Sequence, residues 1–469
     1  MSRRPLVLAL AAVIGTAALL PAVAGAEDLM QTYELARAGD PQLSAAESTR
    51  DATKEGAVQA RAALLPQIDG QASLSKSETE NEGGASVNPD GSISIGRSES
   101  DSTSRDLSVS VRQMVYDRSN FTRLESQRAL SRASDFTLEA AGDSLITRTS
   151  AAYFNVLIAI ETLAAAEAQE AALKKQFDFA DKRLEVGLAP ITDVHEARAQ
   201  YDNARANTIV VRNALEDSYQ ALAEITGQTV RNLKGLPDDF RPALPTEQDS
   251  DAWVATAIGN NPDLKALEEE VVSAEADVGT ARAGHWPTLY FNGSYGEQAF
   301  WGDRTNLLNN STIPTGSDSR GPQASLILSV PIFSGGATQS RVRQALATRD
   351  VRADQLEQQK RAIVRTTRNA YQTLLAGITE VEARRLALVS ARSAYDASQV
   401  GLEVGTRTVL DVLINQNTLF NAQREYSRAK YTFLQSRLVL EQSAGTLDGT
   451  DVQDVNRLLT VNAEAQLTP

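Results

Sequence analysis

Few residues in this chain combine a reactive type with a spacing that chemistry could use. The two histidines, His195 and His285, lie ninety positions apart, and there is no cysteine. The segment HEARA that starts at His195 lacks the second histidine needed to set two imidazoles on one helical face around zinc, and no GxxxxGK loop is present to cradle phosphate. Without thiols, disulfides and thiolate metal sites are excluded, so the sequence predicts no metal, no cofactor and no enzyme. What recurs instead is a pair of acids. Asp193 in LEVGLAPITDV (184–194) and Asp411 in LEVGTRTVLDV (402–412) hold the same place in a segment written twice at a constant offset of 218 residues, and Asn203-Ala204 and Asn421-Ala422 extend the match. Each acid stands in the first turn of a helical pattern, where the positive end of the helix dipole favours a carboxylate. Thr408 and Asp411 also approximate a capping box.

The elements that carry these acids are duplicated too. Pro41 and Pro66 bracket a helical pattern near the start, and Pro262 and Pro287 bracket a similar one 221 residues later. The mature chain therefore divides into two tandem halves, residues 27–234 and 251–446, joined by a linker of residues 235–250 that contains the proline-rich GLPDDFRPALPTEQD, and followed by a tail of residues 447–469. Ahead of them, Arg3 and Arg4, an apolar run from Leu6 to Leu20, Pro21 and the small residues Ala24-Gly25-Ala26 have the pattern of a signal peptide over residues 1–26. Fifteen apolar residues are short for a membrane anchor. Loss of that segment takes the formal charge from −14 to −16, which argues against nucleic acid as a partner. After it no uninterrupted apolar run reaches transmembrane length; AAYFNVLIAIETLAAA, from Ala151, carries Asn155 and Glu161.

Within each half the apolar period changes. Ile68, Gly70, Ala72 and Leu74 alternate with Asp69, Gln71, Ser73 and Ser75, and Leu107, Val109 and Val111 alternate with Ser108, Ser110 and Arg112. WPTLYFNGSYG from Trp286 and ASLILSVPIF from Ala324 repeat this in the second half. The pattern predicts half-buried strands near 67–78, 105–116, 286–298 and 323–333, each pair flanking a Gly-, Ser- and Asn-rich loop near 79–104 or 299–321. Between Asp117 and Leu184 there is no proline, and Leu145, Ala152, Ala159, Ala166, Leu173 and Ala180 recur every seven residues; after Pro190, Val194, Tyr201, Thr208, Leu215 and Leu222 do the same. This is coiled-coil patterning with small residues on the seam. About 67 residues at 1.5 Å each make a helix of roughly 100 Å. The LEVG segments then mark where a long helix turns back, Gly187 and Gly405 supplying the C-terminal cap conformation and Pro190 or Thr408 starting the return helix.

Four strands per chain, apolar on one face, are too few for a membrane barrel, because single-chain barrels begin at eight. Two, three or four chains would have to pool theirs, and strand counting does not choose among these. Strands of about ten residues at 3.3 Å each, tilted near 45°, span roughly 25 Å, the height of an outer-membrane apolar band. Aromatic residues stand where interface girdles belong: Tyr116, Trp286 and Phe333 at the helix-side ends, Phe300 and Trp301 near the loop-side end. The strands of a soluble sandwich would show the same alternation.

The tandem halves, LPQI and WPTL at the strand starts, SVPIFSGG at 329–336, VGLAPITDV and above all VGTRTVLDVL resemble the TolC-type outer-membrane efflux protein family, over essentially the whole mature chain. The resemblance implies a mixed α/β membrane protein, in which a long antiparallel coiled-coil α-barrel in the periplasm joins a transmembrane β-barrel shared by three chains. It implies a passive exit duct for type I protein secretion and/or drug efflux, located in the bacterial outer membrane. The implied partners are two further copies in a homotrimer, a periplasmic adaptor (membrane fusion protein) with its inner-membrane transporter, outer-membrane lipid, and the exported proteins or small molecules. By position, Thr192, Asp193 and Arg407 fall on the family's gate links and Asp411 on the first aspartate of its pore constriction; the family's tyrosine falls on Leu402 and its second aspartate on Ile414, which removes one link and one carboxylate ring. Gly187, Leu188, Gly405 and Thr406 fall at the tips, farthest from the membrane, where the adaptor is met. The alternative is a periplasmic coiled-coil adaptor or scaffold without its own pore. That class has one helical hairpin flanked by compact β domains, against two hairpins and four strands here.

Overall fold

The structure, a computed structural model, describes residues 28–87, 93–244, 249–307 and 310–467; the expected signal peptide, residues 1–26, lies outside them. The first half runs α1 (Leu29–Gly39), α2 (Pro41–Ala62), β1 (Gln67–Val87), β2 (Ile93–Tyr116), α3 (Arg118–Glu185) and α4 (Ile191–Thr226). After β3 (Lys234–Gly235) the plan repeats as α5 (Ser250–Asn260), α6 (Pro262–Ala283), β4 (Thr288–Asn306), β5 (Ser311–Ser329), α7 (Ala337–Glu403) and α8 (Val409–Ala444), followed by α9 (Gly449–Asn456) and β6 (Val461–Asn462). Helix lengths of 11, 22, 68 and 36 residues recur as 11, 22, 67 and 36, so both halves build the same succession of elements. The described residues form two compact units, one from within 28–44, 141–261 and 363–467, the other from within 45–140 and 262–362.

The second unit holds a four-stranded antiparallel sheet in the order β1-β2-β4-β5. Its register lines up Ile68, Val111, Gly293 and Ala324 in one row and Asp69, Ser110, Ser294 and Gln323 in the next. Successive side chains on a strand point to opposite faces, so over its helix-side rows the sheet has one mainly apolar and one mainly polar side, with Glu297 and Arg320 farther along the first and Ile327 on the second. The apolar side is bare, with Ile68 and Leu326 among its exposed residues. The strands are longer than the alternation indicates: pairing continues to Val87↔Ile93 and to Asn306↔Ser311, through most of the stretches near 79–104 and 299–321 that the sequence predicts as loops. Those stretches are dominated by Ser, Thr, Asn, Gly and charged residues, so the period-two signal weakens while the ladder of backbone hydrogen bonds goes on. At the other end β4 begins at Thr288 and β5 stops at Ser329, which leaves Trp286 and Phe333 outside the strands. Gly335 and Gly336, both left-handed, then turn the chain into α7.

Helices of the same unit approach closely because their contact residues are small. Ser126 and Ser273 share a hydrogen bond of 2.9 Å, Thr122 and Thr280 one of 2.7 Å, and a Cβ on Gly279 would lie 3.1 Å from the Thr122 methyl. Arg132 to Glu269 at 2.7 Å and Lys54 to Asp135 at 2.9 Å close the rims.

The first unit is helical and contains the main apolar core. The expected heptad positions Leu145, Ala166, Leu173, Ala180, Val194, Thr208, Leu215 and Leu222 are buried. By composition alone part of α3 could cross a membrane, but its apolar residues Tyr153, Phe154, Leu157 and Ile160 are core. Tyr153 takes both hydrogen bonds of Lys234, its hydroxyl donating to the carbonyl at 2.8 Å and accepting from the N–H at 3.0 Å. That fixes β3, which pairs with β6; Leu236, Phe240, Val452, Val455 and Leu459 join the core, so the segments around the joint between the halves and at the chain's end pack into it. At the α1–α2 corner Asp40 is buried and receives Arg148 at 2.7 and 3.3 Å. Burial pushes the Asp40 carboxyl up, but Arg148 and the Leu43 N–H more than offset it and hold the group below the usual carboxylate range.

Candidate functional site

The two places where a long helix turns back share one construction. At the end of α3 the Gly187 N–H donates to the Leu184 carbonyl at 2.9 Å and the Leu188 N–H to the Arg183 carbonyl at 2.8 Å; at the end of α7 Gly405 donates to Leu402 at 3.2 Å and Thr406 to Gly401 at 2.8 Å. These paired bonds are Schellman motifs, which need a left-handed residue at the turn. Gly187 and Gly405 both have φ of +77°, where a Cβ would cost backbone energy although nothing lies within 4 Å of it. The turns leave Val186, Leu188, Ile191 and Val404 well exposed, an apolar cap on each hairpin.

The return helices start differently. Pro190 precedes α4 without a side-chain cap, whereas Thr408 and Asp411 form a complete capping box on α8: the Thr408 hydroxyl accepts from the Asp411 N–H at 3.2 Å, and the Asp411 carboxylate accepts from the Thr408 N–H at 2.9 Å and from its hydroxyl at 2.8 Å. The Thr408 N–H and hydroxyl, with Arg407 adding its charge, hold Asp411 below the usual carboxylate range. Thr192 reaches Asp193 at only 3.5 Å. Arg407 lies over Gly401, where a Cβ would meet its Cγ at 2.6 Å, and among the described residues it makes no ion pair with Asp193 or any other acid of its own chain. The structure thus gathers Arg407, Thr408 and Asp411 at one tip and leaves Thr192 and Asp193 at the other.

Behind the tips lies a polar seam that periodicity does not reveal. Leu173, Ala204 and Leu413 form a small apolar cluster between the α3–α4 hairpin and α8, and beside it a cavity of about 300 Å³ is lined by Gln200, Asn203, Gln416, Asn417 and Asn421. Its signal is present in the sequence, since Asn203 and Asn421 are equivalent positions of the duplicated segment. The aromatic residues separate by face. Trp301 shares a row with Thr103 and Gly316 on the side that carries the apolar rows, but Phe300 pairs with Ser104 and Ser317 on the polar side. The two side chains therefore leave the sheet on opposite faces. Arg118 stacks over Trp286 at 5.2 Å, Tyr116 sits at a bulge opposite Leu289, and Phe333 is 89% exposed.

The sequence profile of the family described as Outer membrane efflux protein matches residues 32–228 and 253–446. The chain is 33% identical over 462 residues to Outer membrane protein TolC of Vibrio cholerae, covering 98% of this chain and 99% of that one. It is 28% identical over 429 residues to the Alkaline protease secretion protein AprF of Pseudomonas aeruginosa, covering 91% of this chain and 86% of that one. In fold it is similar to the CmeC outer membrane channel of Campylobacter jejuni, with a TM-score of 0.72 at 18% identity over 92% of this chain and 90% of that one.

Proposed function

Because the chain belongs to the outer membrane efflux protein family, we propose that three copies pool their sheets into one transmembrane β-barrel and serve as a passive exit duct for secreted proteins or small molecules, with no catalytic step. The observation that carries this is the sheet itself. One chain supplies four strands with β1 and β5 as unpaired edges, and over the helix-side rows one face is mainly apolar and the other mainly polar. Open edges do not persist in hydrocarbon and must be closed by further strands, while alternation suits lipid outside and water within. Native mass measurement of detergent-purified protein tests it: a trimer is expected, and a stable monomer that keeps its β structure would refute it.

On the same reading the helical hairpins of three copies line a periplasmic tunnel, and Asp411 from each converges on the axis as a single carboxylate ring. Arg407 and Asp193, which make no ion pair among the described residues, and Thr192, whose hydroxyl reaches only Asp193 at 3.5 Å, tie neighbouring hairpins together when the duct is closed. The apolar tips around Gly187, Leu188, Gly405 and Thr406 dock a periplasmic adaptor of an inner-membrane pump. Tyr116, Trp286 and Trp301 anchor the barrel at the lipid interfaces. Residues 27–234 and 251–446 act as two structural repeats, and residues 1–26 direct export.

A further inference from the structure

We infer that Ile332 and Phe333 of one copy pack against Val58 and Leu65 of the next, forming an apolar latch at the seam between chains; this rests on the trimeric reading above. Ile332 is 94% and Phe333 89% exposed, the most exposed large apolar side chains among the described residues. They are held out by construction. Gly335 and Gly336 have φ of +61° and +82°, two consecutive left-handed residues that turn the chain into α7, and the Ser334 and Thr338 hydroxyls join at 3.0 Å to pin that turn. An adjacent isoleucine and phenylalanine left bare on a built loop form the kind of patch that associates.

Topology selects what covers them. The strands alternate in direction across β1-β2-β4-β5, so β5 descends where β1 ascends. Gln67, the first residue of β1, is level through Arg112 and Asn292 with Ser325 near the end of β5. Both edges therefore reach the same end of the sheet. When symmetry sets β5 of one copy beside β1 of the next, the two run antiparallel, and the residues that follow β5 arrive beside those that precede β1. Waiting there are Val58 and Leu65, 58% and 54% exposed. They are seven residues apart, about two helical turns, on one side of α2 and its C-terminal turn. Within one chain these groups flank opposite edges of the sheet and do not cover each other. The latch thus moves Phe333 from the expected lipid girdle to the contact between copies.

The absence of cysteine makes the test free of background. The double variant Leu65→Cys/Phe333→Cys, assembled and treated with a short thiol crosslinker, should give covalent dimers and trimers, while each single variant gives monomers on denaturing gels. Phe333→Ala should weaken association about tenfold to a hundredfold per seam, as expected for uncovering one buried aromatic ring, and this is read as monomer appearing on dilution. A trimer that forms normally, gives no crosslink and dissociates like wild type after Phe333→Ala overturns the latch and assigns these side chains to lipid. A wild-type protein that is not trimeric in native mass measurements overturns the parent reading, and that result is seen before any crosslinker is added.

Discussion

Replacing Glu441 with glutamine should remove a pH dependence from the stability of the helical unit. Glu441 is 5% exposed near the end of α8; its Oε1 accepts from the Arg437 Nε at 3.2 Å and its Oε2 has no hydrogen-bond partner. Burial, then the nearby Asp451, against the opposing charge of Arg437, pushes its carboxyl up from 4.5 to about 7. The folded chain therefore keeps a proton that the unfolded chain has already released. The stabilisation is complete below the unfolded value and fades as pH rises through the folded one. At about 1.4 kcal/mol per pH unit, the interval from 4.5 to about 7 corresponds to roughly 3 kcal/mol per chain. Glutamine stays neutral, preserves an acceptor for Arg437 and supplies donors where the carboxylate had an orphan oxygen. Chemical unfolding of wild type and Glu441→Gln from about pH 4.5 to pH 8 should show the variant gaining on wild type by about 3 kcal/mol across that range. Two curves that stay parallel would refute the assignment.

Gly187→Ala and Gly405→Ala should each cost about 1 kcal/mol through backbone strain alone, read as roughly fivefold faster hydrogen exchange in the last turn of α3 or α7; no change would mean that the left-handed turns relax freely. Asp40→Asn should destabilise by about 3 kcal/mol, the low end for breaking a buried ion pair because Arg148 keeps one side to solvent. The Asp40 contribution is present above the ordinary carboxylate range and is lost as pH falls through its depressed folded value, so the variant and wild type should converge in strong acid when followed by circular dichroism. Ile414→Asp should strengthen block of the duct by a trivalent cation, because it adds a second carboxylate one helical turn from Asp411. Equal block in the variant and wild type would show that position 414 does not face the axis.

Much of this structure is legible in the chain because it is written twice. The equivalent prolines at 41 and 262 and the repeated LEVG turns place the long helices and their reversals, and the seven-residue rows at Leu145 and Val194 place their contacts. The strands are legible only where one face is apolar. Between Ser75 and Glu82, and between Arg97 and Arg105, both faces are polar, and the ladder there leaves no periodic trace. Phe300 and Trp301 are adjacent in sequence, while alternation sends them to opposite faces. At the tips, the spacing of Thr408 and Asp411 supports a cap, and the family resemblance implies a constriction at the same carboxylate. The capping box is formed within one chain, and a ring of carboxylates involves atoms from three, which periodicity within one chain does not describe. The interactions of Tyr153 with Lys234 and of Tyr431 with Glu161 are invisible for a different reason, since they join positions 81 and 270 residues apart.

Single-channel recording in a planar bilayer tests the duct most directly. Purified trimer should insert and conduct in discrete steps, prefer cations, and be blocked by a trivalent cation from the side that the helical tips face. Asp411→Ala should keep the conductance and lose both preference and block. A folded trimer that binds membranes without conducting would contradict a pore shared by three chains, and an unaltered selectivity in Asp411→Ala would leave that carboxylate as a helix cap alone.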